Sequence, residues 1–306
     1  MRKFPRNPRQ ERRGRAISIC LPILLAVLAV PAGALELSRF KDGLFAYPPT
    51  IDARDGGAYR IIDYREMRDI NRRDAVPERR VHGRYVAVGI RGMQRDLSLK
   101  TDTGTVRHVA VGKAQGARII TVYLHGQGGN RHQGVNDFSF GGNFNRIKNL
   151  MGRNGGLYLS PDISDFGEKG AREIRALLTT YAARSPNAPI FLACGSMGGA
   201  LCWRLAQIPS LAERLGGLLL LGSFWNEDFL TSPAFDRRIP VFFGHGSRDT
   251  VFPIEKQEAF YRKMRERAPG YPVRFVRFES GTHGTPIRMT DWRETLNWML
   301  RQVRGR

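Results

Sequence analysis

Short apolar runs and amphipathic stretches alternate along most of this chain. Tyr85–Ile90 and Val106–Val111 alternate or run apolar in the way strands do, and Arg118–Leu124 and Gly156–Ser160 do so more strongly. Pro189–Ala193, Leu218–Leu221 and Ile239–Phe243 are near-continuous apolar runs. Such runs mark parallel strands buried on both faces. Val273–Phe278 sets Val and Phe against Arg, which predicts an edge strand. Helical periodicity fills the gaps. Ala171, Ile174, Leu177, Leu178 and Tyr181 share one helical face, and Ala200, Leu201, Leu205, Ala206 and Ile208 share another. Trp292, Leu296, Met299, Leu300 and Val303 line a last helix, with Asp291 and Glu294 as its capping pair. Strands that alternate with helices predict a mostly parallel sheet with right-handed crossovers and helices on both faces. A site in such a sheet is expected at the carboxyl ends of its strands.

The segments before this pattern differ from it. Residues 35–80 are irregular and polar, and read as an N-terminal extension wrapped on a main domain of residues 81–306; Tyr64–Asp74 has the makings of a short basic helix. Residues 1–34 predict a secretory signal peptide. Seven Arg or Lys and one Glu occupy Met1–Arg15, an apolar run follows from Ala16 to Val30, and Pro31-Ala32-Gly33-Ala34 closes it. The apolar run is short for a spanning helix and contains Pro22, which favours cleavage near Ala34 over a retained anchor. The expected location is therefore periplasmic or extracellular, by the Sec or the twin-arginine route.

Charge adds a second feature. The 306 residues carry 49 Lys+Arg against 28 Asp+Glu, a formal net of +21, and loss of residues 1–34 would lower it to +15. Such a surface reads first as the solvated face of a basic protein and second as one that attracts anionic partners, a membrane or a cell-wall polymer. No basic stretch is interleaved with aromatic residues as in a nucleic-acid module, so no nucleic-acid partner is expected. Of the three cysteines, Cys194 and Cys202 lie outside the leader. Placed at a strand end and two turns into the next helix, they read as buried small apolar residues rather than a bonded pair.

Four strand ends carry candidate chemistry. Cys194-Gly195-Ser196-Met197-Gly198-Gly199 places a Ser at a sharp strand-to-helix turn, where only small neighbours fit and the first helix amides face a bound anion. His125-Gly126-Gln127-Gly128-Gly129 follows the strand ending at Leu124, and its glycines allow close backbone approach. A dinucleotide loop is a poor alternative, because Arg131 stands where the third glycine belongs. Gly244 to Pro253 follows a buried strand and contains Asp249. Gly281-Thr282-His283-Gly284 follows the last strand. Glu227 and Asp228 are rival acids, and His245 is the rival base.

Together these segments resemble the α/β-hydrolases, over roughly Arg80 to Val303. Ser196 sits in a turn similar to their G-x-S-x-G elbow, with Cys194 in place of the first glycine. The His125 loop resembles the HG-x-G oxyanion loop of lipases and esterases, and the Asp249 loop resembles their G-x-x-D-x-x-x-P segment. The order Ser, Asp, His is that family's. The resemblance implies a mostly parallel eight-stranded sheet. It implies Ser196 as nucleophile, His283 as base and Asp249 as the orienting acid. It also implies the backbone N–H groups of Gln127 and Met197 as oxyanion donors, with His125, Gly126, Phe224 and Trp225 around the substrate. Ser223–Arg238 is too short for a lid domain, so an open cleft is expected. No metal-ligand spacing and no cofactor motif is visible. The expected activity is an exported serine hydrolase of small-molecule or lipid-like carboxylic esters. An acyltransferase or peptidase on the same residues, and a catalytically silent basic envelope-binding protein, are the alternatives.

Overall fold

The computed structural model describes residues 1–4 and 35–304; the expected signal peptide lies, apart from its first four residues, outside them. Residues Leu35–Arg306 form one compact unit. Its strands are β1 (Thr50–Arg54), β2 (Tyr59–Ile62), β3 (Asp74–Val76), β4 (Arg80–Val81), β5 (Gln94–Thr101), β6 (Gly104–Gly112), β7 (Ile120–Leu124), β8 (Leu157–Pro161), β9 (Ile190–Gly195), β10 (Leu215–Leu221), β11 (Val241–Gly246) and β12 (Val273–Phe278). Its helices are α1 (Asp42–Phe45), α2 (Asn143–Arg153), α3 (Glu168–Arg184), α4 (Gly198–Ala206), α5 (Pro209–Ala212), α6 (Pro233–Asp236), α7 (Ile254–Arg267), α8 (Thr285–Met289) and α9 (Trp292–Arg304).

Ten strands make the main sheet, in the order β1-β2-β12-β11-β10-β9-β7-β8-β6-β5. The eight from β5 to β12 form the expected doubly wound sheet, and β1 and β2 extend one side of it. β7 to β12 pair parallel, with Leu218–Leu221 of β10 registered on Cys194 and its neighbours in β9 and on Val241–Gly244 in β11. These central strands are buried on both faces, which is why their sequences are continuous apolar runs. The core lies in two layers. One sits under α3, α4 and α7 with Trp203 and Phe243, the other under α2 and α9 with Phe144 and Trp292.

Three local expectations change. Tyr85–Ile90 is not a strand: Gly83–Tyr85 and Val88–Met93 are 3₁₀ turns, and the next strand of the main sheet is Gln94–Thr101, in a hairpin with β6. Gly83, Gly89 and Gly92 interrupt the apolar residues there, and Ile90 inserts against Gly152 of α2 instead of joining a ladder. Val273–Phe278 is not an edge. The polar N-terminal segment supplies β2, which pairs parallel with it from Tyr59–Phe275 to Ile62–Phe278. The arginines of β12 have protein partners. Arg277 pairs with Glu258 and Glu279, and Arg274 stacks on Trp298 at 4.6 Å. The third change concerns Cys194 and Cys202, whose sulfurs are in bonding contact with Cα atoms 6.5 Å apart. Cys202 is only the fifth residue of α4, and helical side chains tilt back toward the N-terminus, so it points at the end of β9.

Candidate active site

The turn between β9 and α4 is built around Ser196, whose φ is +52°, a left-handed conformation that a residue with a side chain rarely adopts. The strain is held by its carbonyl, which accepts from the Gly199 and Phe224 N–H groups, both at 3.1 Å, and from the Ser223 hydroxyl at 2.7 Å. Small residues around it are a steric requirement. A Cβ on Gly198 would lie 2.3 Å from the Leu124 carbonyl oxygen, and one on Gly195 would lie 2.7 Å from the Tyr123 hydroxyl.

His283 follows β12 in a loop tied to helix α8, where the Thr282 N–H donates to Thr285 Oγ1 at 2.9 Å. Its Nε2 is 2.9 Å from Ser196 Oγ and its Nδ1 is 2.8 Å from Asp249 Oδ2. A carboxylate accepts only, so Nδ1 carries the hydrogen and Nε2 is free to accept the Ser196 proton. The loops bearing Asp249 and His283 interlock, because the Arg248 N–H donates to the Gly281 carbonyl at 2.8 Å. Gly246 permits this approach; a Cβ there would be 2.4 Å from that carbonyl oxygen.

Asp249 has further partners. Its Oδ1 accepts from the Val251 and Phe252 N–H groups at 2.8 and 3.0 Å. Burial pushes its pKa up, but the His283 hydrogen bond, the Phe252 N–H and the charges of both imidazoles outweigh burial and hold it below the usual carboxylate range. The rival base His245 is buried on the other side. Its Nε2 lies 2.8 Å from the Phe252 carbonyl oxygen and 3.3 Å from Asp249 Oδ2, so one N–H is shared between them. Burial lowers its pKa and favours the neutral ring. The rival acids are elsewhere: Glu227 pairs with Lys263 on the surface, and Asp228 is exposed.

The His125 loop closes on the same hydroxyl. A Cβ on Gly126 would lie 2.6 Å from Ser196 Cβ and 3.1 Å from Oγ. Gln127 is exposed and Met197 half-buried, and among the described residues neither N–H has a protein acceptor. His125 itself is 2% exposed, beneath the loop rather than on its open face, with Nδ1 2.8 Å from the Gly126 carbonyl oxygen. Burial lowers its pKa as well.

Phe224 and Trp225 are half-buried and stacked, with ring centroids 5.8 Å apart. Phe252, which the sequence did not single out, packs on both and lies 5.6 Å from the His283 ring. Ser223 and Gly222 were also missed. A Cβ on Gly222 would meet the His283 carbonyl oxygen at 2.7 Å, so a Gly-Ser pair ending a buried strand was the available signal. The β10–β11 connection holds only a 3₁₀ turn (Glu227–Thr231) and the single turn α6, so no cap domain rises from it.

A doubly wound, mostly parallel sheet with linked Ser, His and Asp side chains at the carboxyl ends of its strands is the hydrolase variety of α/β architecture. The chain has the α/β-hydrolase fold. It superposes on an α/β serine hydrolase homologue from Coxiella burnetii with a TM-score of 0.50 at 17% identity, over 68% of this chain and 97% of that one. An esterase from Pyrococcus furiosus matches with a TM-score of 0.54 at 15% identity, over 73% and 96% of the two chains. A serine hydrolase without a lid from Xanthomonas campestris matches at 0.50 and 15%, over 69% and 94%. At these identities the likeness is one of fold. No protein-family model matches the sequence, and no curated protein matches it.

Proposed function

We propose that this protein is a serine hydrolase that cleaves carboxylic esters through an acyl-enzyme on Ser196. The observation that carries the reading is the unbroken chain from Ser196 Oγ to His283 to the buried Asp249, with Gly126 pressed against the hydroxyl. Ser196 Oγ attacks the ester carbonyl carbon while its proton passes to His283 Nε2. The tetrahedral oxyanion is stabilised by the N–H groups of Gln127 and Met197, each worth about 2.7–4 kcal/mol in such sites. The C–O bond then breaks, and the alcohol leaves with the proton from Nε2. Water adds to the acyl-enzyme by the same route, its proton passing through Nε2 to Ser196 as the acid departs. Asp249 remains ionised throughout, holds the Nδ1–H tautomer and stabilises the imidazolium. Phe224, Trp225 and Phe252 form an apolar wall for the acyl or alcohol group, and the absence of a cap domain suits an accessible ester.

The basic, apolar and small-residue succession over residues 1–34 supports export, and the Cys194–Cys202 bond fits an oxidising compartment. Sequencing the N-terminus of the protein recovered from its producing cell tests cleavage near Ala34. The enzymatic reading is tested by a fluorophosphonate probe and a p-nitrophenyl ester series. Wild type should label and turn over esters, and Ser196→Ala should do neither. A folded wild type that does not label would overturn the reading.

A further inference from the structure

The polar stretch after β2 builds an element for which ester cleavage has no use. β3 and β4 pair antiparallel as a two-stranded hairpin outside the main sheet. Residues 75–80 and 82–84 are all exposed. The base of the hairpin is anchored to the main domain. Arg73 is buried, stacks on Phe45 and Tyr85 at 4.5 and 5.0 Å, and donates to the carbonyls of Arg288 and Leu44. Glu78 pairs with Arg288 at 3.3 Å, and the Val81 N–H donates to the Phe138 carbonyl at 2.9 Å. Arg288 lies on α8, the helix that starts two residues after His283. The hairpin is therefore tied to α8, the helix that follows the His283 loop.

Its exposed chemistry is both cationic and apolar. Arg79, Arg80 and Arg84 pair with no carboxylate among the described residues; Arg80 and Arg84 lie over the rings of Phe138 and Tyr85. Beside them Val76 is 45% exposed, and Met67, on the helical turn packed against β3, is 71% exposed. We propose that this hairpin seats the protein on an anionic lipid bilayer. The three guanidiniums meet the headgroups, and Val76 and Met67 enter the interfacial layer. A soluble polyanion would use the same arginines but would gain nothing from the two apolar side chains, so charge and apolarity together favour a lipid surface. Among the described residues no helix is long and apolar enough to cross a membrane.

The test is co-sedimentation of the full chain with vesicles of phosphatidylcholine alone or with phosphatidylglycerol added. Wild type should bind the anionic vesicles and leave the neutral ones. Each basic residue near such a surface is worth about a fivefold change in partitioning, so loss of three weakens binding about a hundredfold, and their reversal in R79E/R80E/R84E should weaken it by at least that. The charge-matched variant R172E/R175E/R262E, on α3 and α7, should stay within about threefold of wild type at physiological salt, where distant charges are screened. Met67→Ser with Val76→Ser should weaken vesicle binding and leave binding to heparin unchanged. Circular dichroism checks that each variant is folded. Equal losses for the two charge-reversed variants, equal binding to neutral vesicles, or no effect of the serine pair would overturn the proposal. The measurement needs no turnover, so its failure and the failure of the ester reading are separable.

Discussion

Replacing Gly126 by alanine isolates the contact on which the candidate site turns. The added methyl would lie 2.6 Å from Ser196 Cβ, 3.1 Å from Oγ and 3.3 Å from the Gly195 carbonyl oxygen. Carbon atoms in contact settle near 3.5–4.0 Å, so the loop and the elbow must separate by about 1 Å. Misplacement on that scale costs on the order of a hundredfold in rate, and a displaced oxyanion donor costs about 10²–10³. Gly126→Ala should therefore lower kcat for a p-nitrophenyl ester by two to three orders of magnitude, about 2.7–4 kcal/mol. Overpacking of this kind costs roughly 1–3 kcal/mol in stability, so the melting temperature should fall by no more than about 10 °C. Gly128→Ala in the same loop is the control. Gly128 has φ +75° but nothing within 4 Å of its Cβ position, so alanine there brings about 1–2 kcal/mol of backbone strain without the collision. A folded Gly126→Ala enzyme with more than about half the wild-type kcat would refute the assigned closeness of the loop to Ser196.

Three further outcomes follow from the same geometry. Ser223→Ala removes one of three donors to the Ser196 carbonyl, a bond worth about 1 kcal/mol, and should slow ester turnover by roughly fivefold; a thousandfold loss would mean that Ser223 acts in the chemistry. Lys148 is fully buried, with Nζ 2.7 Å from Asp137 Oδ1 and 2.6 Å from the Val135 carbonyl oxygen, so it holds the segment that follows the His125 loop. Asp137 also accepts from Arg91 Nε and Asn145 Nδ2, both at 2.6 Å, so Lys148→Ala leaves the carboxylate partnered and should cost about 1.5–3 kcal/mol for the lost charged hydrogen bonds; melting curves showing no loss would contradict this. The depressed pKa of Asp249 means its ionised form is favoured by folding, so that contribution is complete above the ordinary carboxylate value of about 3.9 and disappears as pH falls through the lower folded value. Thermal melts from about pH 5 to pH 2 should show a shallower acid limb for Asp249→Asn than for wild type; identical limbs would mean that Asp249 does not carry it.

How far the sequence could be read depended on the range of each interaction. Leu218–Leu221 and Pro189–Ala193 announce buried parallel strands because a strand covered on both faces must be apolar at every position. The small residues flanking Ser196 were legible for a similar reason, since the elbow leaves no room for anything larger. The failures are long-range. Val273–Phe278 reads as an edge because its arginines alternate, yet β2 lies more than two hundred residues away in sequence and supplies its neighbour. Tyr85–Ile90 has strand-like composition, but the burial of Ile90 against α2 decides its conformation. Cys194 and Cys202 meet because of how α4 leaves the elbow, which spacing alone did not show.

The sequence by itself determined the alternation of strands and helices, the glycines that tight turns require, and the order of Ser196, Asp249 and His283. Those are local properties, set by backbone sterics and by which side chains can leave water. Only the tertiary structure decided that Asp249 lies between the rings of His283 and the rival His245, with His283 the one in reach of Ser196. It also decided that Phe252 completes the aromatic wall and that a polar N-terminal segment contributes a strand to the sheet and a hairpin tied to α8. Each depends on segments distant in the chain coming within a few ångströms, and that proximity is set by packing of the whole core.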